Sequence, residues 1–148
     1  MNSSGTARAF AQFAAVVFLV AGVAGFFTGD ASRVIGGKAG GNFDGVALHL
    51  TYARDVLNLL IAAVFLYAAT IARERARRFA VLGAGAFLLL LAVVGFIVGD
   101  DDAGGHSIAG LHFTLGLNVL DLAAGALAVL CGLGEPGGEE LTVSRSER

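Results

Sequence analysis

The sequence has 148 residues, of which 56% are apolar and 15% are charged, with a net charge of −2 and a mean hydropathy of +0.77. The length is typical of one domain, and the apolar content predicts that this domain lies in a membrane. The single cysteine, Cys131, excludes an internal disulfide and dithiol chemistry.

The first predicted element is a membrane-spanning helix over residues 9–29, which follows a polar lead-in at residues 1–8. Residues 9–29 contain no charged side chain, and about 20 such residues can cross a hydrocarbon core of ~30 Å. A cleaved signal peptide is the alternative, because Arg8 precedes the apolar run and small residues end it. A matching run at residues 79–99 is internal, which favours a permanent helix.

Three more membrane helices follow, which are predicted over about residues 50–72, 79–99 and 108–133. The glycine-rich link at residues 30–45 is not a phosphate-binding loop, since no strand precedes it and no Ser or Thr follows Lys38. The tail at residues 135–148 contains Pro136, two glycines and mixed charge, and is predicted to be disordered. We therefore expect one domain over residues 9–134, with an all-α fold of four membrane helices.

The distribution of basic residues predicts the orientation. The link at residues 73–78 carries four arginines and one glutamate, whereas the link after helix three carries Asp100, Asp101 and Asp102 and no Lys or Arg. Lys and Arg concentrate in cytoplasmic links. Both termini are therefore predicted to be cytoplasmic, in a multi-pass protein of the cytoplasmic (inner) membrane.

The chain also contains an internal repeat. GFFTGD at residues 25–30 returns as GFIVGD at residues 95–100, and LHLT at residues 48–51 returns as LHFT at residues 111–114. Two matches in the same order predict a bundle built from two similar helical hairpins.

Five polar residues near the start of helices two and four form the candidate site. They are Arg54, Asp55, Asn58, Asn118 and Asp121. All but Arg54 lie on a polar stripe at helical spacing, which begins at Thr51 in helix two and at Thr114 in helix four. By the repeat, Asp55 corresponds to Asn118, and Asn58 to Asp121, so facing helices would pair each acid with an amide. Arg54 would supply a countercharge. Such residues are costly in a membrane, and they indicate either hydrogen bonds that fix helix register or a site that responds to a proton or cation.

Two histidines are weaker candidates. His49 and His112 are equivalent in the repeat and could face each other as metal or haem ligands, but both lie near the outer ends of helices, where a histidine costs little. The acidic triplet with His106 is equally explained as a solvated turn. We expect no metal, no cofactor and no catalytic residue.

The motifs resemble a bacterial family of four-helix membrane proteins known as domain of unknown function 4383, over about residues 10–133. The family pattern places His-Asn-x-x-His-Leu in helix two and Asp-Asn-x-x-His-Leu in helix four. This sequence has RDVLNL at residues 54–59 and LNVLDL at residues 117–122, so Asn118 matches the pattern while Asn58 and Asp121 replace its histidines. The resemblance implies the four-helix architecture and no particular activity. The replacements favour a packing or hydrogen-bonding role.

The sequence thus predicts a non-catalytic structural or interaction module of the membrane, whose partners are the lipid bilayer and either further copies of itself or another membrane protein. The alternative is a subunit of a proton-linked or small-solute transporter or channel that uses Asp121. An enzyme is not expected, because no nucleophile stands with a base and an orienting acid. Nucleic-acid binding is not expected either, because the basic link is short and topology explains it.

Overall fold

A computed structural model describes residues 4–28, 51–98, 107–108 and 110–134. Its helices are α1 (Ser4–Thr28), α2 (Tyr52–Thr70), α3 (Glu74–Val98) and α4 (Leu115–Leu133). All four are long and apolar enough to cross a membrane. The prediction of an all-α integral membrane bundle is confirmed.

The ends of the helices differ from those that the apolar runs suggested. Helices α1 and α3 begin at Ser4 and Glu74, about one turn earlier than expected, because each continues into polar sequence outside the apolar run. Helix α4 begins at Leu115, later than the expected residue 108.

The late start of α4 has a local cause. A short antiparallel pair, β1 (Ser107–Ile108) and β2 (Leu111–His112), precedes the helix. The turn between the two strands contains Gly110 with φ 81°, a backbone conformation that glycine adopts without steric cost. The segment that contains the strand pair resembles a helix in its apolar composition, so the apolar pattern alone does not show where the strands end and α4 begins.

The helices pack as two antiparallel hairpins. Contacts are extensive between α1 and α2 and between α3 and α4, and they are fewer between the two hairpins. In the second hairpin, a Cβ added at Gly125 would lie 2.9 Å from the carbonyl oxygen of Gly85. The backbones of α3 and α4 therefore approach closely at this glycine pair, as small residues allow in membranes.

The centre of the bundle is filled by Phe65 of α2, which is fully buried. Its ring meets Phe10 edge-on at a centroid distance of 5.7 Å and stacks on Phe18 at 6.0 Å. Alanines of α1 and α2 surround these rings. Large apolar side chains instead cover the outside, as expected for a surface that faces lipid.

Arginines close the end of the bundle at which α2 stops. The last carbonyls of a helix lack partners within the helix, and basic side chains can satisfy them. Arg8 Nε donates to Ala69 O at 3.0 Å, and Arg77 Nε donates to Ala68 O at 3.1 Å. Arg77, one of the basic residues that predicted the orientation, thus also caps α2, together with Arg8.

Candidate functional site

The five predicted polar residues lie together near the opposite end of the bundle, where α2 and α4 begin. We call them the polar cluster. Each is buried, with no more than 3% of its surface exposed, and they are Arg54, Asp55, Asn58, Asn118 and Asp121. At about 1.5 Å per residue, Asp121 lies roughly 9 Å inside the start of α4. The cluster is therefore enclosed by the bundle although it lies close to one end.

A buried ion pair joins the two hairpins within this cluster. Arg54 Nη2 donates a hydrogen bond to Asp121 Oδ1, and the side chains of these residues are 3% and 1% exposed. The sequence suggested that Asp121 would face Asn58, because those positions match in the repeat. Arg54, the predicted countercharge, reaches this carboxylate from the start of the other helix, whereas the pairing of Asn58 with Asp121 stays a prediction.

The N-cap of α2 forms a second connection between the hairpins. Thr51 Oγ1 accepts a hydrogen bond from Arg54 N at 3.2 Å, which holds the first turn of the helix. The same hydroxyl donates to Gly110 O at 2.6 Å, in the turn that precedes α4. Thr51 is the last residue of the repeated motif LHLT, but its role in joining the hairpins depends on the turn at Gly110, which the sequence pattern does not reveal.

Glycines hold two other members of the cluster in place. A Cβ added at Gly25 would overlap the Asp55 carboxylate, and one added at Gly95 would overlap the Asn118 amide. Both contacts lie inside a hairpin, between α1 and α2 and between α3 and α4. By the predicted repeat, Gly25 corresponds to Gly95, and Asp55 corresponds to Asn118. The predicted pairing of Asp55 with Asn118 stays a prediction.

The cluster retains some hydrogen-bonding capacity. Among the described residues, Arg54 Nε, Asn118 Oδ1 and Asp121 Oδ2 are buried without a hydrogen-bond partner. Buried polar atoms are usually satisfied, and each exception needs an explanation. These atoms offer one donor and two acceptors to a further polar group or proton.

The histidine and acidic candidates contribute no described site. His49, His106 and the acidic triplet lie outside the described residues, and His112 belongs to β2, where only its backbone is described. Within the described ranges, no three His, Cys, Asp or Glu residues are grouped so that they could hold a metal. Cys131 is a half-buried free thiol of α4.

Comparison with known proteins places this fold in a family. Residues 8–134 match the family model described as Domain of unknown function (DUF4383), which covers all four helices and the polar cluster. No curated protein and no solved structure shows significant similarity to the chain. Because the match extends over most of its length, the chain belongs to the DUF4383 family of proteins of unknown function.

Proposed function

We propose that the protein is a non-catalytic structural or interaction module of the cytoplasmic membrane, built from two repeated hairpins that the polar cluster joins. The observation that carries this proposal is the ion pair between Arg54 and Asp121. It links α2 to α4, and both side chains are almost completely withdrawn from solvent. A carboxylate already held by a guanidinium and enclosed by helices suits a connection between hairpins better than an open pathway.

The packing supports the same role. The contacts between the hairpins are fewer than those within each hairpin, so polar connections contribute more to the relative position of the hairpins. Ion pairs and hydrogen bonds have directional geometry, whereas apolar packing in lipid tolerates sliding and rotation. The polar cluster therefore fixes the register of the two hairpins, and the bundle as a whole presents one defined outer surface to lipid or to a partner protein.

The proposed orientation places the link at residues 71–73 and both termini in the cytoplasm. Arg73, Arg75, Arg77 and Arg78 lie at this end of the bundle, which supports the assignment through the positive-inside rule. We expect a cysteine introduced as Arg75→Cys, in a Cys131→Ser background, to react with an impermeant maleimide only after the cells are opened. Labelling of intact cells would reverse the orientation. An exposed alternative, Arg73→Cys, serves as a second reporter of the same link.

Transport through Asp121 is the second candidate function. The unfilled hydrogen-bonding capacity of Asp121 Oδ2 and Asn118 Oδ1 favours it, because a proton carrier needs a buried carboxylate with a free position. Four helices leave little room for a pathway, so this function would require a homo-oligomer.

A flux assay separates the two functions. Purified wild type and the Asp121→Asn variant would be reconstituted into liposomes that contain a pH-sensitive dye, and a potassium diffusion potential would drive proton entry. We expect both proteins to leave the proton leak at the level of empty liposomes. Flux in the wild type that is lost in Asp121→Asn would overturn the structural proposal and establish the transport function. The variant Glu74→Gln, which alters an exposed acid outside the cluster, controls for the loss of a carboxylate.

A further inference from the structure

A groove on the outer surface lies between α2 and α3, where the two hairpins meet. It has a volume of about 460 Å³, and its lining is apolar. The groove is bordered by Leu57, Leu60, Val64, Phe79, Gly83 and Phe87. Several of these side chains are partly exposed, with Leu60 at 59% and Phe79 at 63%, so the groove opens towards the hydrocarbon of the bilayer.

The shape of the groove suits one extended hydrocarbon chain. Its α3 wall runs from Phe79 to Phe87, which is about 12 Å of helix at 1.5 Å per residue. Gly83 lies between these two rings, and a Cβ added there would meet no heavy atom within 4 Å. The missing side chain at Gly83 therefore leaves open space in the middle of the groove.

Positive charge is concentrated at the end of the groove that faces the link between α2 and α3. The guanidinium carbon of Arg75 lies 5.9 Å from the centroid of the Phe79 ring, which borders the groove. Arg73 and Arg75 are exposed, and Arg78 is partly exposed, whereas the exposed Glu74 is the one acid among residues 73–78.

Arg77, in the same link, caps the end of α2. Arg77 donates to two carbonyl oxygens, Ala68 O at 3.1 Å and Ala72 O at 3.2 Å. The guanidinium of Arg75 rests on the face of an aromatic ring at the mouth of the groove. An apolar groove that ends at such basic side chains matches the two parts of a phospholipid with a negatively charged headgroup.

We propose that the groove between α2 and α3 binds an anionic phospholipid, with one acyl chain along Gly83 and the phosphate at Arg75 and Arg78. Basic residues beside membrane helices attract anionic lipid, and each contributes a several-fold increase in affinity. The apolar lining supplies shape for the chain, and the arginines supply preference for the headgroup. This site is separate from the polar cluster and does not depend on the role proposed for Asp121.

Native mass spectrometry of the detergent-purified full chain tests both parts of the proposed site. Phosphatidylglycerol and phosphatidylcholine with identical acyl chains would be titrated separately, and the retained lipid counted. We expect wild type to retain phosphatidylglycerol in preference to phosphatidylcholine. The double variant Arg75→Gln/Arg78→Gln should weaken phosphatidylglycerol binding on the order of 10- to 30-fold. The variant Gly83→Leu should weaken binding of both lipids, because the new side chain occupies the groove.

Matched variants exclude indirect effects. Ala86→Leu adds the same side chain to an exposed position of α3 outside the groove, and should leave binding unchanged. Arg145→Gln/Arg148→Gln removes the same charge from the C-terminal segment, and should also preserve the preference. Equal retention of the two lipids by wild type would overturn the proposal. Unchanged lipid binding in Gly83→Leu would also overturn the proposal. A lipid-free dimer that Gly83→Leu dissociates would overturn it too, and would assign the groove to a second copy of the chain.

Discussion

Replacing Arg54 with leucine is expected to lower the free energy of unfolding by about 3–5 kcal/mol, and adding Asp121→Asn should restore most of that loss. The single change leaves the Asp121 carboxylate buried without its guanidinium partner, and an uncompensated buried charge is strongly destabilising. The second change removes that charge. Replacing a whole buried ion pair is often nearly neutral, although removing one partner is not.

The predicted repeat supplies the replacement residues for this experiment. Leu117 stands in the second repeat where Arg54 stands in the first, and Asn58 stands in the first where Asp121 stands in the second. The double variant therefore gives each half a residue that the other half already accommodates in a similar helix. The new side chains therefore have the volume and polarity of residues that the bundle already contains at the matching positions.

Equilibrium unfolding of the four proteins in mixed micelles measures the coupling between the two sites. We expect a coupling free energy of about 2 kcal/mol or more, within the usual range for residues in direct contact. Glu74→Gln should change stability by less than about 0.5 kcal/mol, because surface substitutions usually do. Additive losses for Arg54→Leu and Asp121→Asn would show that the pair does not connect the hairpins.

The sequence predicted the helices well because a bilayer imposes a simple rule. A span must be apolar for about 20 residues and must satisfy its own backbone hydrogen bonds, and four segments of this chain meet that rule. The same rule does not determine where a helix ends. Helix α1 extends into polar sequence as far as Ser4, whereas α4 begins only after the turn at Gly110 and the N-cap residue Thr114.

The members of the polar cluster were predictable, and Arg54 was expected to supply a countercharge, but the sequence did not indicate which of the two acids Arg54 would contact. Helical spacing and the cost of burying polar groups identified four of the five residues, and Arg54 was identified as a charged neighbour of the stripe. The repeat then suggested symmetric partners, and Arg54 has no polar counterpart, since Leu117 occupies the matching position. The contact that a flexible side chain makes across helices depends on the relative position of the two hairpins, and the periodicity of the sequence does not indicate that position. The groove at Gly83 escaped prediction for the same reason, because it is a space between helices.

Alanine at Gly25 or at Gly95 is expected to destabilise the bundle by about 1–3 kcal/mol, although alanine favours a helix more than glycine does. The propensity gain is at most about 1 kcal/mol. The steric overlap opposes this gain, because the new Cβ would overlap the Asp55 carboxylate at Gly25 or the Asn118 amide at Gly95. Overpacking of this kind costs about 1–3 kcal/mol and sometimes more, and here it also displaces a buried polar group.

Gly83→Ala is the matched control for both variants, because it lies within a transmembrane helix and a Cβ there meets no heavy atom within 4 Å. That variant should be as stable as wild type or slightly more stable, since only the propensity gain applies. Unfolding in mixed micelles, followed by circular dichroism, measures all three. If Gly25→Ala and Gly95→Ala were as stable as Gly83→Ala, the close approach of the helices within each hairpin at the polar cluster would not contribute to stability. Similar losses at Gly25 and Gly95, and none at Gly83, would show that both hairpins use the same glycine contact to hold a polar side chain inside the membrane.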